Sequence, residues 1–496
     1  MTELVPVLAV LVPALPFACG LLVLATGTPG RADRVNLATA VVSAAAALVL
    51  SATLLARGGS APLRGGVYML DGASGVFLAL IAIVGLCSAL LSPAYLRTAG
   101  RSWFSAGRSR HWYYAAFYAF WGALLAVPIA GNLAVGWLLV EATTAASALL
   151  VAFTGRRHAL EAGWKYLILT TLGLSVALLG IVVLALALSR HGGGGLAALD
   201  WHALERAAPG LPRQTTLVAF VLILAGLATK IGWAPVHNWL PDAHSEAPAP
   251  ISALLSAALL PTVALVAWRV KLTLAVAVGS ANARAVFLGF GLASLIVAVP
   301  FLWRALPWKR LLAYSSLEHM GVVALGIGFG TPLAIAGVVI HVAGHGLAKA
   351  LGFYAAMPLL RSDPAAGRRA PSGVLATSRP TAAAMGLSLG ALGGLPPSPV
   401  FVSEVLILLG GLAAGDTAVV IVAALALALG FLGLLHALLE GVIGAPGRGR
   451  SPRRHRGDRP IAAMTVAIGT GLASLTVAGL LLPGSAFVVT LARGAL

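Results

Sequence analysis

Apolar runs of about twenty residues, each enough to cross the roughly 30 Å hydrocarbon core of a bilayer as a helix, follow one another along nearly the whole of this 496-residue chain. In lipid every backbone N–H and C=O must be paired within the protein, which leaves only helices and closed barrels. Barrel strands are about ten residues of alternating polarity; these runs are continuous, so helices are expected. Charge, Gly and Pro divide the chain into about fourteen spans, near 4–26, 36–56, 73–96, 112–130, 132–154, 164–188, 215–236, 249–270, 284–303, 310–329, 332–358, 380–412, 416–443 and 460–482. Hydrophobic residues make up 59% of the chain and charged residues 10%, against about 25% charged in a soluble domain. The fold class is therefore read as an all-α polytopic membrane protein. The first run carries Glu3, with no basic n-region and no clear cleavage site, and reads as a retained span rather than a signal peptide.

The net charge of +18 follows topology rather than nucleic acid. Basic residues crowd the connections after the third span (Arg97, Arg101, Arg108, Arg110), the fifth (Arg156, Arg157) and the ninth (Arg304, Lys309, Arg310). They crowd again after the eleventh (Arg361, Arg368, Arg369, Arg379) and the thirteenth, RGRSPRRHRGDR. The positive-inside rule makes these connections cytoplasmic and puts both termini outside, in an inner (cytoplasmic) cell membrane. Arg57, Arg64, Arg269, Lys271 and Arg284 break the pattern. Cys19 and Cys87 fall inside spans, and no Walker A, dinucleotide or nucleophile-elbow pattern is present. No cofactor and no metal are expected in this chain, so transport must draw on an ion gradient or a partner.

A charge at the bilayer centre costs about 2.5–3.5 kcal/mol, so ionisable residues deep in spans call for a use. Lys230 closes the run LVAFVLILAGLAT and opens KIGWAPVHNWLPDAHSEAPAP. Pro235 and Pro241 break the helix there, because proline lacks an N–H and clashes with the preceding turn. Broken helices line polar cavities in secondary transporters. Lys165, His237, Asp242 and His244 are read as supporting groups. Glu141, in GNLAVGWLLVEATTAASALLVAF, lies at similar depth and is the expected partner of Lys230. Burial disfavours both charges and mutual attraction favours them; the pair reads as a proton-switched contact or as a static ion pair.

In VVIHVAGHGLAKALGF, His341, His345 and Lys349 stand at i, i+4 and i+8 and so share one helix face. Neutral imidazole both accepts and donates, which suits a proton relay. The helical zinc motif needs a glutamate where Val342 stands, which weighs against metal. Glu404, in PPSPVFVSEVLILLGG, follows Pro396 and Pro397. Each half of the chain thus holds a proline-interrupted span beside an ionisable residue, the sequence pointer to an inverted-repeat transporter.

KIGWAPVHNWLPDAHSEAPAPISALL resembles the signature of the antiporter-like subunits of respiratory complex I, Mrp-type cation/proton antiporters and membrane-bound hydrogenases. KRLLAYSSLEHMG, HVAGHGLAKALGF, GNLAVGWLLVEATTAASALL and GLPPSPVFVSE fit the same superfamily, over a stretch from about Asp71 to His436. Ser316-Leu317-Glu318-His319-Met320-Gly321 is most similar to the F-type subunit of hydrogenase-4 and formate hydrogenlyase-like complexes. The resemblance implies fourteen helices: an N-terminal group in 1–110, inverted five-helix repeats with broken helices in 111–270 and 271–445, and a basic loop with a last helix in 446–496. It makes Glu141 and Lys230 the family's glutamate–lysine pair, Lys349 its connecting lysine and Glu404 its distal residue, along a hydrated axis. It also implies proton translocation within a redox-driven complex, either hydrogenase-4/formate hydrogenlyase-like or NADH:quinone oxidoreductase-like. Iron–sulfur or nickel–iron centres would then sit in partner subunits. The alternatives are a subunit of a sodium/proton antiporter of the Mrp type and a membrane subunit for energy-coupled inorganic-carbon uptake. A plain anchor would leave Glu141, Lys230, Lys349 and Glu404 without a use. Pro261, where the family often has Lys or Asn, and Pro307-Trp308, in place of an aspartate before Lys309, depart from the pattern.

Overall fold

A computed structural model describes residues 4–57, 63–65, 68–97, 108–362, 373–445, 458–485 and 488–490. Glu3, Arg101, Arg368, Arg369 and nearly all of RGRSPRRHRGDR lie outside these residues. Among the described residues, thirteen helical segments are long and apolar enough to cross a membrane. The first half is built from α1 (Leu4–Leu24), α2 (Pro29–Ala56), α3 (Gly72–Leu96), α4 (Ser109–Ala126), α5 (Leu133–Val151), α6 (Arg157–Ser189), a short α7 (Trp201–Ala207) and α8 (Arg213–Ile231). A short α9 (Leu240–Glu246) leads into α10 (Ala249–Leu254) and α11 (Leu260–Val278), joined by a π turn. The second half holds α12 (Ser280–Leu302), α13 (Trp308–Phe329), α14 (Pro332–Ser362), a short α15 (Val374–Thr377), α16 (Arg379–Leu392), α17 (Pro399–Ala413), α18 (Thr417–His436) and α19 (Asp458–Leu481).

One expected span is interrupted as read and another begins earlier than read. The proline-interrupted span near 380–412 is two shorter helices, α16 and α17, with the expected break between them at Pro396 and Pro397. The span read from 164 begins at Arg157, a 33-residue helix of about 50 Å at 1.5 Å per residue, so Lys165 sits in its early turns. Outside the helices, β1 (Leu63–Gly65) and β2 (Tyr68–Leu70) pair antiparallel, Leu63 opposite Leu70. This hairpin pairs backbone groups in the connection between α2 and α3.

The most apolar stretches of segment α10–α11 and of helix α13 are wholly enclosed, and that of α14 nearly so. The peripheral helices α1, α18 and α19 turn Leu21, Leu425 and Val466 outward, the apolar surface a lipid-facing shell requires. Helix α8 stops because Gly232 takes a left-handed conformation (φ +79°, ψ +30°), open to glycine without the β-carbon penalty. The broken backbone that follows is paired by side chains. Trp239 Nε1 donates to the Thr229 carbonyl at 2.6 Å, Trp233 Nε1 to the Met320 carbonyl at 2.7 Å, and the Ala234 amide to Ser294 Oγ at 3.0 Å. Irregular backbone at membrane depth is tolerated where the protein re-pairs it in this way. Pro241 then sits in the first turn of α9. The α16–α17 break closes similarly, with Ser398 capping α17 by accepting from the Phe401 amide.

Pro261 occupies the first turn of α11, directly after the π turn Leu255–Leu259. A proline frees and repels the carbonyl four residues back, and a widened turn accommodates it. Three of the five basic residues that broke the charge rule are structural ties. Arg269 is buried against Asp71 at 3.1 Å and against the Pro128 carbonyl. Lys271 donates to the Ile327 and Gly328 carbonyls at the end of α13. Arg284 meets Asp416 and the Ala414 carbonyl beyond α17. Lys309, read from sequence as a loop charge, is instead buried at the start of α13 and donates to the Ser245 and Ala247 carbonyls that end α9.

Candidate functional site

Lys230 ends α8 fully buried. Its Nζ donates to Thr144 Oγ1 on α5 at 2.8 Å and to Tyr166 OH on α6 at 2.5 Å, and lies 4.4 Å from the centre of the Tyr166 ring. Tyr166 OH in turn bonds Ser147 Oγ at 2.7 Å. Glu141 stands one turn before Thr144 on α5, so both share the face toward this cluster. Its Oε1 accepts from Thr171 Oγ1 at 2.8 Å and its Oε2 has no partner. Glu141 and Lys230 are thus not in contact among the described ion pairs; the carboxylate acts on the lysine through space. Each charge is met by hydroxyls of its own, Thr171 at Glu141 and Thr144 and Tyr166 at Lys230.

Tyr166 also packs on Trp239 (ring centroids 4.7 Å apart), and Trp239 stacks on His244 at 6.5 Å. His244 is sandwiched on its other face by Phe353 of α14 at 5.3 Å. It is fully buried, and neither of its ring nitrogens has a partner. From there the row passes to α14. Lys349, fully buried, donates to the Leu312 carbonyl at 2.5 Å and to Ser315 Oγ. His345 lies within electrostatic reach of both His244 and Lys349.

Three histidines meet beyond Lys349. His319 of α13 faces His341 (5.1 Å between ring centroids) and His345 (5.0 Å). The proton positions follow from the hydrogen bonds. Ser403 Oγ gives its one proton to the Val400 carbonyl at 2.6 Å, so His341 Nδ1 is the donor in its 2.9 Å bond to Ser403. A neutral His341 then presents Nε2 as acceptor, and His319 Nδ1 donates to it at 3.2 Å. His319 Nε2 faces the Leu392 carbonyl, at the end of α16, without reaching hydrogen-bond geometry. Glu404 of α17 completes the group: one ligand atom each from His319, His341 and Glu404 lie within 4.8 Å of one another.

The remaining sequence-predicted residues fall elsewhere. Lys165 is about half exposed and pairs with Glu161 at 2.6 Å and Asp242 at 3.5 Å; Asp242 also meets Arg310 at 3.1 Å. This network lies at the surface rather than in the row. His237 is half-buried at the outer side of the break, beside exposed Pro235. Glu318 and His319 are site neighbours that sequence reasoning treated only as a family signature. Glu318 is 3% exposed, with Oε2 unpartnered, and acts through space on Lys349 and Glu404. Gly430 of α18 makes room for it, since a β-carbon there would collide with Glu318 Oε1. Two adjacent ionisable residues in the otherwise uncharged run after Arg310 were the available signal. Tyr166 and Thr144 carried no comparable signal.

The class defined by this fold is an all-helical, antiporter-like membrane protein with interrupted helices and buried Lys, His and Glu side chains. The family described as NADH:quinone oxidoreductase/Mrp antiporter, TM matches residues 130–430, more than half of the chain, and the chain belongs to it. It is 33% identical over 346 residues to the hydrogenase-4 component F homolog of Methylacidiphilum infernorum (isolate V4), covering 69% of this chain and 72% of that protein. It is 30% identical to NADH-quinone oxidoreductase subunit N of Desulforudis audaxviator (strain MP104C), covering 94% of each. Among solved structures, a chain of the membrane-bound sulfane sulfur reductase (MBS), an archaeal respiratory membrane complex, superposes with a TM-score of 0.84 at 19% identity, over 98% of this chain and 97% of that one. The protein is an antiporter-like membrane subunit of the complex I and hydrogenase type.

Proposed function

We propose that this subunit translocates protons along the buried row Glu141, Lys230, His244, Lys349, His345, His319, His341 and Glu404, driven by redox chemistry in partner subunits. In this reading α16 and α17 together make a fourteenth crossing. Residues 111–270 and 271–445 are two inverted five-helix repeats, between an N-terminal group in 1–110 and a last helix in 446–496, with both termini outside. The observation that carries the reading is the succession of buried ionisable groups from α8 to α17: Lys230, His244, Lys349 and the three histidines are each fully enclosed. Such groups are costly in a membrane protein unless they serve an ion path.

Protons would reach Lys230 from the side of the Lys165–Asp242–Arg310 network and leave near Glu404. Weakening of the Glu141 charge, sensed from a neighbouring subunit along its partly exposed side chain, would release the Lys230 proton toward His244. Moving one charge against 100 mV costs about 2.3 kcal/mol, which a charge interaction in a low-dielectric interior can supply. Iron–sulfur or nickel–iron centres belong to the partners in this scheme. The test is proton flux in vesicles holding the intact complex, comparing wild type with Lys230→Ala and Glu141→Ala, with and without sodium. Sodium-independent flux lost in both variants, with assembly intact, is the expected result; unchanged flux would make the pair structural. A second reading, sodium/proton exchange, is favoured by the Mrp antiporters in the family description, and requires that flux depend on sodium.

A further inference from the structure

We infer that His319, His341 and Glu404 form a binding site for a divalent transition metal of the zinc class, and that occupancy blocks ion passage at this point. The blocking half rests on the proton-path reading above; the binding half does not. Two imidazoles and one carboxylate, with an open fourth position, are a recurrent zinc donor set. Tetrahedral zinc, at about 2.0–2.1 Å from each ligand, places ligand atoms roughly 3.3 Å apart. His319 Nδ1 and His341 Nε2 already stand 3.2 Å apart, and the third donor lies within 4.8 Å, a gap that carboxylate torsions close.

The hydrogen bonding places His341 in its ligating form and leaves His319 one tautomer change from its own. Ser403 fixes the His341 proton on Nδ1 and leaves the Nε2 lone pair free; such an outer partner orients metal-bound histidines. His319 needs only to carry its proton on Nε2, where the Leu392 carbonyl faces it, for Nδ1 to turn its own lone pair inward. Without metal, His319 Nε2 is buried and unpartnered. The charges around the site are mixed. The Glu318 carboxylate lies in electrostatic range of Glu404, while Lys349 opposes a cation from the His319 side. A metal held here occupies both lone pairs through which His341 and His319 exchange protons. Hard cations such as Mg²⁺ prefer all-oxygen sites and should not compete.

The experiment uses full-length protein purified in detergent with a tag free of histidine, titrated with ZnCl₂ by calorimetry. A second readout is the visible absorption of bound Co²⁺, which reports four-coordinate geometry. Wild type is expected to bind one Zn²⁺ per chain with Mg²⁺ in excess. His341→Ala, His319→Ala and Glu404→Gln should each weaken binding at least tenfold, while His436→Gln, at an exposed surface histidine, leaves it unchanged. Absence of binding by wild type, or equal affinity in all three site variants, overturns the site. Should the variants misfold, wild-type Co²⁺ spectra decide: an octahedral spectrum, typical of weak surface sites, overturns it too. Zn²⁺ is then added to vesicles of the intact complex. Flux that falls with the calorimetric affinity supports the block. Flux that persists at saturating Zn²⁺ overturns the block, and a wild type that carries no protons without Zn²⁺ overturns the proton-path reading while leaving the site standing.

Discussion

At the scale of single residues, the buried Lys230 ammonium is held by hydroxyls rather than by a carboxylate. Thr144 and Tyr166 each accept from its Nζ, and Tyr166 bonds on to Ser147; hydroxyls both donate and accept, so they can pass a proton without carrying a fixed charge. Tyr166→Phe removes the acceptor but keeps the ring beside the ammonium. It is expected to slow proton flux by about tenfold or more, the lower range for losing a positioned proton-transfer group, with thermal stability little changed. Flux at the wild-type rate would take Tyr166 out of the path. Lys230, His341, His345, Lys349 and Glu404 were legible in the sequence because charge stands out in an apolar run. Tyr166 and Thr144 were not, because a hydroxyl in a membrane helix ordinarily bonds its own preceding turn, as Thr170 does to the Tyr166 carbonyl. Position along a helix was readable; direction around it was not, and so the sequence reading paired Glu141 with Lys230 where each instead bonds to hydroxyls.

At the scale of elements, the helix breaks were legible from proline, but their closure was not. Gly232 and the indole of Trp239 end α8 and re-pair its last carbonyls over distances that no local pattern announces. Gly232→Ala forces a β-carbon into the left-handed region, costing about 1–2 kcal/mol. It should lower the thermal midpoint in detergent, while Gly27→Ala, where a β-carbon meets open space, should not. Equal midpoints would show that the break tolerates another closure. Gly430→Ala tests a different joint, that between α18 and α13. Its methyl group would displace the Glu318 carboxylate, so flux should fall more than stability. Lys309 and Lys271 belong to the same scale. Each donates to the last carbonyls of a neighbouring helix, where a cation is favoured, and that is why neither obeyed the reading of loop charge.

For the whole molecule, the question is how two halves of one chain act as one path. His244 is the single ionisable side chain on the stacked route between the Lys230 cluster and α14, held between Trp239 and Phe353. His244→Phe keeps an aromatic ring in that sandwich and removes two buried nitrogens that have no partner. Unpaired buried polar atoms destabilise by about 1–3 kcal/mol each, so the variant should be at least as stable as wild type. A purely structural role therefore predicts an assembled complex with full activity. A role in carrying protons between the halves predicts the opposite: full assembly, an equal or higher thermal midpoint, and proton flux reduced by a factor of about 10²–10⁴. His244→Ala would confuse the two cases by emptying the stack. The comparison of flux with midpoint in His244→Phe keeps them apart, because for this substitution stability and transport are expected to move in different directions.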